Sequence, residues 1–358
     1  MPKSLLLITG ASGFVGSHAV RFALEGFNYD AVVCTDVQTS DQYGYWTARK
    51  LWRYVQADLT KPEDLENLRK VLEEFPEHQI TVWHIGGCFN YAAPRELLYR
   101  VNVLGTKNLA EMLLKIGAAK IQRLIFWSGG VVYGNFDSLD ASLPADENYP
   151  VNPQNDYGWS KKEAEDWLLF FNRQFALPVT IMRLAAIYGP NARYGMGVAL
   201  WLNDQGLLAP MLAGNAKKNH VALIHVEDVV RVADFLSEAK ESNGEIYNVV
   251  DDIPYTVKQA SEFIGERLNN KPFSSFSLPG WVLRTLIKLV QKRAKQLGGK
   301  PSIDPELGNM VLLDAWMSNK KLRDLGMRHG HIPGLLKYWD SLRGLADTIE
   351  RYKKEARP

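Results

Sequence analysis

An apolar run, Leu5-Leu6-Leu7-Ile8, breaks directly into Thr9-Gly10-Ala11-Ser12-Gly13-Phe14-Val15-Gly16, and a helical pattern over Phe14–Glu25 follows. Buried strand, glycine-rich turn and helix, in that order, restrict the fold more than any other stretch of the chain. One glycine lets the chain turn tightly off the strand, a second lets backbone N–H groups approach a pyrophosphate, and a third lets the helix pack on the sheet. Phosphates held there meet the unpaired N–H groups and the positive dipole end of the helix. A glycine turn by itself also suits a ligand-free corner. The next apolar run, Ala31–Thr35, favours the binding loop, because it ends on Asp36, twenty positions after Gly16, where an acid meets an adenosine ribose. A carboxylate at Asp36 accepts from ribose hydroxyls and repels a 2′-phosphate, so the expected cofactor is NAD rather than NADP. Asp58, with Leu59, follows Tyr54-Val55-Gln56 as a second strand-end acid able to reach the adenine.

Further apolar runs at Ile80–Trp83, Leu124–Trp127 and Val179–Met182 alternate with helical patterns at Glu63–Glu74, Arg95–Ile116 and Ser160–Phe175. Strands without polar alternation are buried on both faces, and their alternation with helices implies right-handed crossovers and a parallel sheet. The expected fold class is α/β: a Rossmann-type doubly wound parallel sheet with a smaller, mainly helical C-terminal substrate lobe. The rhythm breaks after Tyr188-Gly189-Pro190, and a strand-like run returns at Glu245–Val250. The expected division is a nucleotide-binding domain over 1–189 with 222–250 returning to it, a substrate lobe over 190–221 and 251–350, and a tail over 351–358.

Composition narrows the function classes. Lys and Arg total 42 against 40 Asp and Glu, a net +2, so no charge surplus argues for nucleic acid. Cys34 and Cys88 are too few for a disulfide framework or a multi-thiolate zinc site, and no His/Cys/Asp cluster has metal-ligand spacing. No apolar run approaches the roughly 18 residues of a membrane-spanning helix. The expectation is a cytoplasmic protein with no metal.

Asp156-Tyr157-Gly158-Trp159-Ser160-Lys161 opens a helix, and Tyr157 and Lys161, four apart, share one face of it. A free phenol has a pKa near 10 and shuttles protons poorly in neutral water; a neighbouring ammonium favours the phenolate, and the positive charge of a nicotinamide adds to that. Tyr157 is thus a candidate acid/base for alcohol–carbonyl interconversion, with Lys161 placed to tune it and to hold ribose hydroxyls. Tyr-x-x-x-Lys also arises by chance on exposed helices; its position downstream of a dinucleotide loop gives it weight here.

Together these motifs resemble the extended short-chain dehydrogenase/reductases, the group holding NAD-dependent epimerases/dehydratases and 3β-hydroxysteroid-dehydrogenase-like enzymes. The glycine loop matches at Gly10, Gly13 and Gly16, and the catalytic pair at Tyr157 and Lys161. Asn102-Val103-Leu104-Gly105-Thr106, Val131-Val132-Tyr133-Gly134, Ile187-Tyr188-Gly189-Pro190 and His225-Val226-Glu227-Asp228-Val229 resemble further family stretches, over about 1–250. The resemblance implies a cofactor site of Gly10, Ser12, Gly13, Phe14, Val15, Gly16, Asp36, Asp58, Leu59, Gly86, Gly87, Asn102, Tyr157, Lys161, Leu184 and Ile187. It also implies a homodimer through helices within Arg95–Ile116 and Ser160–Phe175.

The sequence departs from the family's pattern just before Tyr133-Gly134. The Ser or Thr expected four residues before the tyrosine of the Tyr-Gly pair is Gly129, and Ser128 lies one step earlier, which on a strand points to the opposite face. Either bulging lets Ser128 serve as the third catalytic residue, or backbone N–H groups of Gly129-Gly130 hold the substrate oxygen, or hydride chemistry is weakened. The expected substrate contacts are Cys88, Phe89, Gly129, Gly130, Val131, Trp159 and Tyr194. His84, before Gly86-Gly87, is expected to be a hydrogen-bonded strand-end residue rather than a base.

No Arg precedes His225-Val226-Glu227-Asp228, where nucleotide-sugar members tend to carry one. The segment Phe276–Gln296 reads as a proline followed by an amphipathic helix, able to cap an apolar pocket or, less in keeping with the pattern, to rest on a membrane surface. The leading expectation is therefore an NAD(H)-dependent oxidoreductase interconverting a secondary alcohol and a ketone on a relatively apolar small molecule. A nucleotide-sugar epimerase/dehydratase with tightly bound NAD is the alternative, and a non-catalytic NAD(H)-responsive binding protein is the third reading.

Overall fold

The computed structural model describes residues 3–26, 29–39, 51–91, 93–134, 144–192, 211–213, 218–271, 276–279, 281, 282, 285, 289, 314–331 and 335–355. The first half alternates strand and helix: β1 (Lys3–Thr9), α1 (Phe14–Glu25), β2 (Ala31–Asp36), β3 (Leu51–Gln56), α2 (Pro62–Glu73) and β4 (His78–His84). The helical pattern from Arg95 resolves into α3 (Arg95–Leu98), a π-helical turn over Tyr99–Leu104 and α4 (Gly105–Ile116). β5 (Ile121–Gly129), α5 (Asp156–Phe175), β6 (Val179–Leu184) and β7 (Ala186–Tyr188) follow. Later elements are β8 (Met211–Ala213), β9 (His220–Val221), β10 (Leu223–His225), α6 (Val226–Glu238), β11 (Ile246–Val249), β12 (Tyr255–Thr256), α7 (Val257–Asn269), β13 (Phe276–Leu278), α8 (Lys320–Arg328) and α9 (Ser341–Glu355).

Seven strands form one sheet in the order β11-β6-β5-β4-β1-β2-β3, every neighbouring pair parallel. This is the Rossmann-type α/β fold expected. Side chains of β1 alternate between two cores, as the strand period of two requires. Leu6 and Ile8 pack with Ala19, Val20 and Ala23 of α1 and Val229 and Val232 of α6; Leu5 and Leu7 pack with Leu68 of α2, Leu109 of α4 and Leu168 of α5. Both faces are covered, which is why these strands read as unbroken apolar runs.

The chain leaves β1 toward β2 on one side and reaches β4 on the other, so a crevice opens at the carboxyl ends of β1 and β4, the switch point where such sheets bind ligands. β10 pairs with β7 in a separate two-stranded sheet, whereas β11 joins the main sheet beside β6. The expected amphipathic helix after Phe276 falls mostly outside the described residues, although Trp281 and Leu289 are exposed. Among the described residues no helix is long and apolar enough to cross a membrane.

Candidate active site

A cavity of about 1020 Å³ runs along the carboxyl ends of the strands. Small-molecule pockets span about 300–1,000 Å³, and this one stands at the top of that range. One end is built by Gly10, Gly13, Phe14, Val15 and Gly16 after β1, Asp36 after β2, and Asp58 and Leu59 after β3. The other end is built by Gly86, Gly87, Cys88 and Phe89 after β4, by Ser128, Gly129, Gly130 and Val131 at β5, by Tyr157 and Lys161 of α5, and by Leu184 and Ile187.

The glycines at the first end are sterically required. Gly10 has φ +67°, and a Cβ there would lie 2.6 Å from Gly86 Cα; a Cβ at Gly16 would lie 2.0 Å from the Gly10 carbonyl oxygen. Gly10 thus lets the loops after β1 and β4 touch, and Gly16 lets α1 pack on the turn. α1 begins after Gly13 with no side-chain cap and no acidic residue in its first turn, leaving its N–H groups and dipole for an anion. Asp36 Oδ2 accepts the Ser12 backbone N–H at 2.9 Å, while the Ser12 hydroxyl meets Tyr54 at 3.2 Å and lies outside the cavity lining. A cradle of this shape, ending in strand-end carboxylates, fits NAD.

A chain of hydrogen bonds ties the loop after β1 to α5. The Gly86 N–H donates to Thr9 Oγ1 at 3.0 Å, Thr9 Oγ1 lies 2.8 Å from His84 Nδ1, and His84 Nε2 lies 2.8 Å from Thr106 Oγ1. Thr106 donates to the Asn102 carbonyl at 2.6 Å, which assigns the histidine proton to Nε2. Burial holds the His84 imidazole neutral, with its pKa lowered to about 3. Both ring nitrogens of the buried His84 are thus engaged within the protein. Asn102, expected among the cofactor contacts, is buried and outside the cavity lining. Its side chain accepts from the Cys88 N–H at 2.7 Å and donates to Cys88 O at 3.2 Å and Ser160 Oγ at 2.9 Å. The π-turn turns Asn102 into this position, clasping the Cys88 loop to α5.

α5 starts cleanly because Asn155 caps it, accepting the Gly158 N–H at 2.7 Å. Tyr157, Lys161 and Glu165 then recur every four residues on its buried face. Tyr157 packs edge-on against Phe89 and Tyr91, with ring centroids 5.2 and 5.0 Å away. The expected acidification of its phenol is not produced by the protein's own groups. Burial pushes the Tyr157 pKa well above the usual phenol value, with Tyr91 and Cys88 adding to the rise. The same burial brings Lys161 down to about 8, and its Nζ donates to the Trp127 carbonyl at 2.9 Å. Cys88 lines the cavity with its thiol pKa raised by burial.

Ser128 lines the cavity, but its Oγ donates to Glu165 Oε1 at 2.5 Å. Glu165 in turn is held by Arg183, Nη2 to Oε2 at 2.8 Å, with side chains 1% and 3% exposed. The Ser128 hydroxyl thus donates into a buried ion pair on the α5 side, while the residue also lines the cavity. Gly129 presents no side chain, and its extended φ of −152° is open to any residue. Trp159, expected among the substrate contacts, is 53% exposed and lies outside the cavity lining; two residues from Tyr157 is about 200° around a helix. Tyr194 lies outside the described residues. Sequence reasoning missed Leu97, Arg100, Asp314, Ala315 and Met317, which line the cavity from distant parts of the chain with no local motif to mark them.

A family model described as the NAD dependent epimerase/dehydratase family matches residues 6–249. The chain belongs to this family, within the extended short-chain dehydrogenase/reductases, and its relatives are enzymes. One, from Methanocaldococcus jannaschii and provisionally named a UDP-glucose 4-epimerase, is 29% identical over 328 residues, 88% of this chain and 99% of its own. The 3β-hydroxysteroid-dehydrogenase/decarboxylase isoform 1 of Arabidopsis thaliana is 23% identical, over 98% of this chain and 81% of its own. Among solved structures, the UDP-glucose 4-epimerase of Thermotoga maritima with UDP-glucose superposes with a TM-score of 0.71 at 22% identity, covering 98% of this chain and 99% of that one.

Proposed function

We propose that this chain is a nucleotide-sugar epimerase/dehydratase that retains NAD and oxidises a secondary alcohol of the sugar as an intermediate step. The alternative expected from sequence thus replaces the apolar-substrate reading as the leading one. The observation that carries it is one cavity lined both by the glycine cradle and by Tyr157 and Lys161. The UDP-glucose 4-epimerase relatives support the nucleotide-sugar class.

NAD, when bound, supplies the hydride acceptor and donor and a positive ring beside the phenol. The chain's own residues do the rest. Tyr157 takes the proton of the substrate hydroxyl as phenolate and returns it as phenol. Lys161 places its charge one helical turn away and holds hydroxyls through Nζ. Phe89 and Tyr91 pack on the Tyr157 ring and keep it buried. The strand-end carboxylate of Asp36 favours NAD over NADP. A homodimer through α4 and α5 belongs to this reading, supported by the exposed Trp159, Phe170 and Phe175 of α5; light scattering at a monomer mass counts against it.

The test is to denature the purified protein and assay released nucleotide, then to supply UDP-glucose and analyse the sugar product. Retained NAD and an epimerised or dehydrated sugar are expected. Turnover of hydroxysteroids with added NAD, and none of nucleotide sugars, overturns the proposal in favour of the apolar substrate.

A further inference from the structure

Residues 314–318 form an extended strap that closes one wall of the cavity, contributing Asp314, Ala315 and Met317 to its lining. The strap is fixed along its length. The Ala315 N–H donates to His220 O at 3.1 Å, the Ala145 N–H to Trp316 O at 2.9 Å, and the Ser318 N–H to Ala145 O at 2.9 Å. Just beyond it, Asn319 Nδ2 donates to the Val250 carbonyl at 2.9 Å. Met317 stands directly over Gly130, where a Cβ would meet its Sδ at 2.6 Å.

Within this strap Asp314 is oriented from behind. Its Oδ1 accepts the His220 backbone N–H at 2.6 Å and also lies 3.0 Å from His220 Nδ1. The His220 ring is itself pinned by stacking on Trp316, with centroids 4.4 Å apart and planes 26° from parallel. Both His220 contacts fall on one carboxylate oxygen, and among the described residues Oδ2 has no protein donor. His220 lies outside the cavity lining, whereas Asp314 is in it.

The other carboxylates lining the cavity, Asp36 and Asp58, follow β2 and β3 at the cofactor end. Asp314 is the carboxylate on the side of Gly129, Gly130 and Met317, where Ala222 and Ala315 otherwise give an apolar wall. The Asp314 side chain is 18% exposed, and a positioned acceptor in such a wall favours a ligand that brings a donor. Sugar hydroxyls are donors of this kind. A phosphate is repelled, and a hydrocarbon ring leaves the oxygen unpaired.

We infer that Asp314 is a specificity-determining, substrate-binding residue that accepts a hydrogen bond from a ring hydroxyl of the sugar, and that His220 is the positioning residue that holds its carboxylate. The inference rests on the nucleotide-sugar reading and names the part of that substrate which this wall recognises.

Asp314→Asn in the full-length, NAD-loaded protein is the test. The amide oxygen can still accept from His220, so the change falls on the cavity side, where an acceptor becomes a donor. Calorimetry is run with UDP-glucose and with UDP alone. The expected result is a ~10–100-fold loss of UDP-glucose affinity, the scale of one hydrogen bond to a charged group, with UDP affinity and NAD retention unchanged. His220→Ala is expected to weaken UDP-glucose in the same direction, and His220→Asn, which keeps a side-chain donor, to restore part of it. Equal UDP-glucose affinity in the wild type and Asp314→Asn overturns the inference and leaves the proposed function standing. A wild type that binds UDP-glucose no better than UDP overturns both. Should Asp314→Asn fail to retain NAD, deoxygenated UDP-glucose analogues on the wild type decide: weaker binding of at least one by tenfold or more supports the inference, and no loss for any of them contradicts it.

Discussion

Ser128 Oγ donates to Glu165 Oε1 at 2.5 Å, and so a hydroxyl one residue from the expected catalytic position serves the protein interior. The contact joins β5 to the same helical face that carries Tyr157 and Lys161. Ser128→Ala is therefore expected to lower kcat by less than tenfold, well short of the 10²–10³-fold typical of a lost donor on the reacting oxygen. Steady-state kinetics on the nucleotide sugar checks this; a loss of that larger size would assign the hydroxyl to the substrate after all.

Glu165→Gln should be costly to the fold. Removing the charge leaves the buried Arg183 guanidinium without its counter-charge, a change worth about 3–5 kcal/mol. Chemical denaturation of the NAD-free protein measures it, and a loss under 1 kcal/mol contradicts the assigned role of the pair.

Gly129→Ser tests the missing hydroxyl from the other direction. Its Cβ would lie 3.5 Å from Val131 Cγ1 and 3.8 Å from the Leu184 carbonyl, ordinary contacts, so the variant is expected to fold with an unchanged melting temperature. With a donor beside Tyr157, kcat is expected to rise, by up to about 10²-fold. An unchanged or reduced kcat in a folded variant shows that the oxygen is already held by another group.

The pH dependence follows from Lys161, whose pKa burial lowers from 10.5 to about 8. Above about 8 the folded protein loses the ammonium, so kcat/KM is expected to fall on the alkaline side of that value. For stability the sign is opposite. Between about 8 and 10.5 the unfolded chain binds more protons than the folded one, so this group's contribution to stability rises with pH through that window. Below it the buried ammonium carries its full desolvation cost, and Lys161→Met is expected to raise the melting temperature at pH 7 while abolishing turnover. A Lys161→Met protein that melts lower at pH 7 contradicts this.

The fold was legible because strands covered on both faces leave apolar runs and helices leave a regular period. Leu5–Ile8, Ala31–Thr35 and Phe14–Glu25 are each local signals, and so is the spacing of Gly10, Gly13 and Gly16. The pairing of Tyr157 with Lys161 follows from helical geometry alone, and the same geometry excludes Trp159. What was not legible depends on residues far apart in the chain. Ser128 donates to Glu165, itself paired with Arg183, Asn102 sits on a π-turn inside an otherwise regular helical pattern, and Asp314 reaches the cavity on a strap anchored to His220 and Ala145. Nor does the sequence show that burial raises the Tyr157 phenol and lowers the Lys161 ammonium, or that Lys161 donates to the Trp127 carbonyl, which leaves acidification of the phenol to the nicotinamide's charge.

Asp36 is expected to set cofactor choice. The wild type should bind NAD at least about tenfold more tightly than NADP, and Asp36→Asn should narrow that ratio by removing the charge opposed to a 2′-phosphate. Fluorescence titration of the nucleotide-free protein measures both constants, and equal affinities in the wild type contradict the assignment.

The most direct test of the central claim, that Tyr157 moves the proton which accompanies hydride transfer, is rapid mixing of NAD-loaded protein with UDP-glucose, monitored by the absorbance of reduced nicotinamide. The account predicts that the wild type forms reduced nicotinamide and that Tyr157→Phe, still holding NAD, forms it ~10²–10⁴-fold more slowly. Equal rates in the two proteins would contradict it.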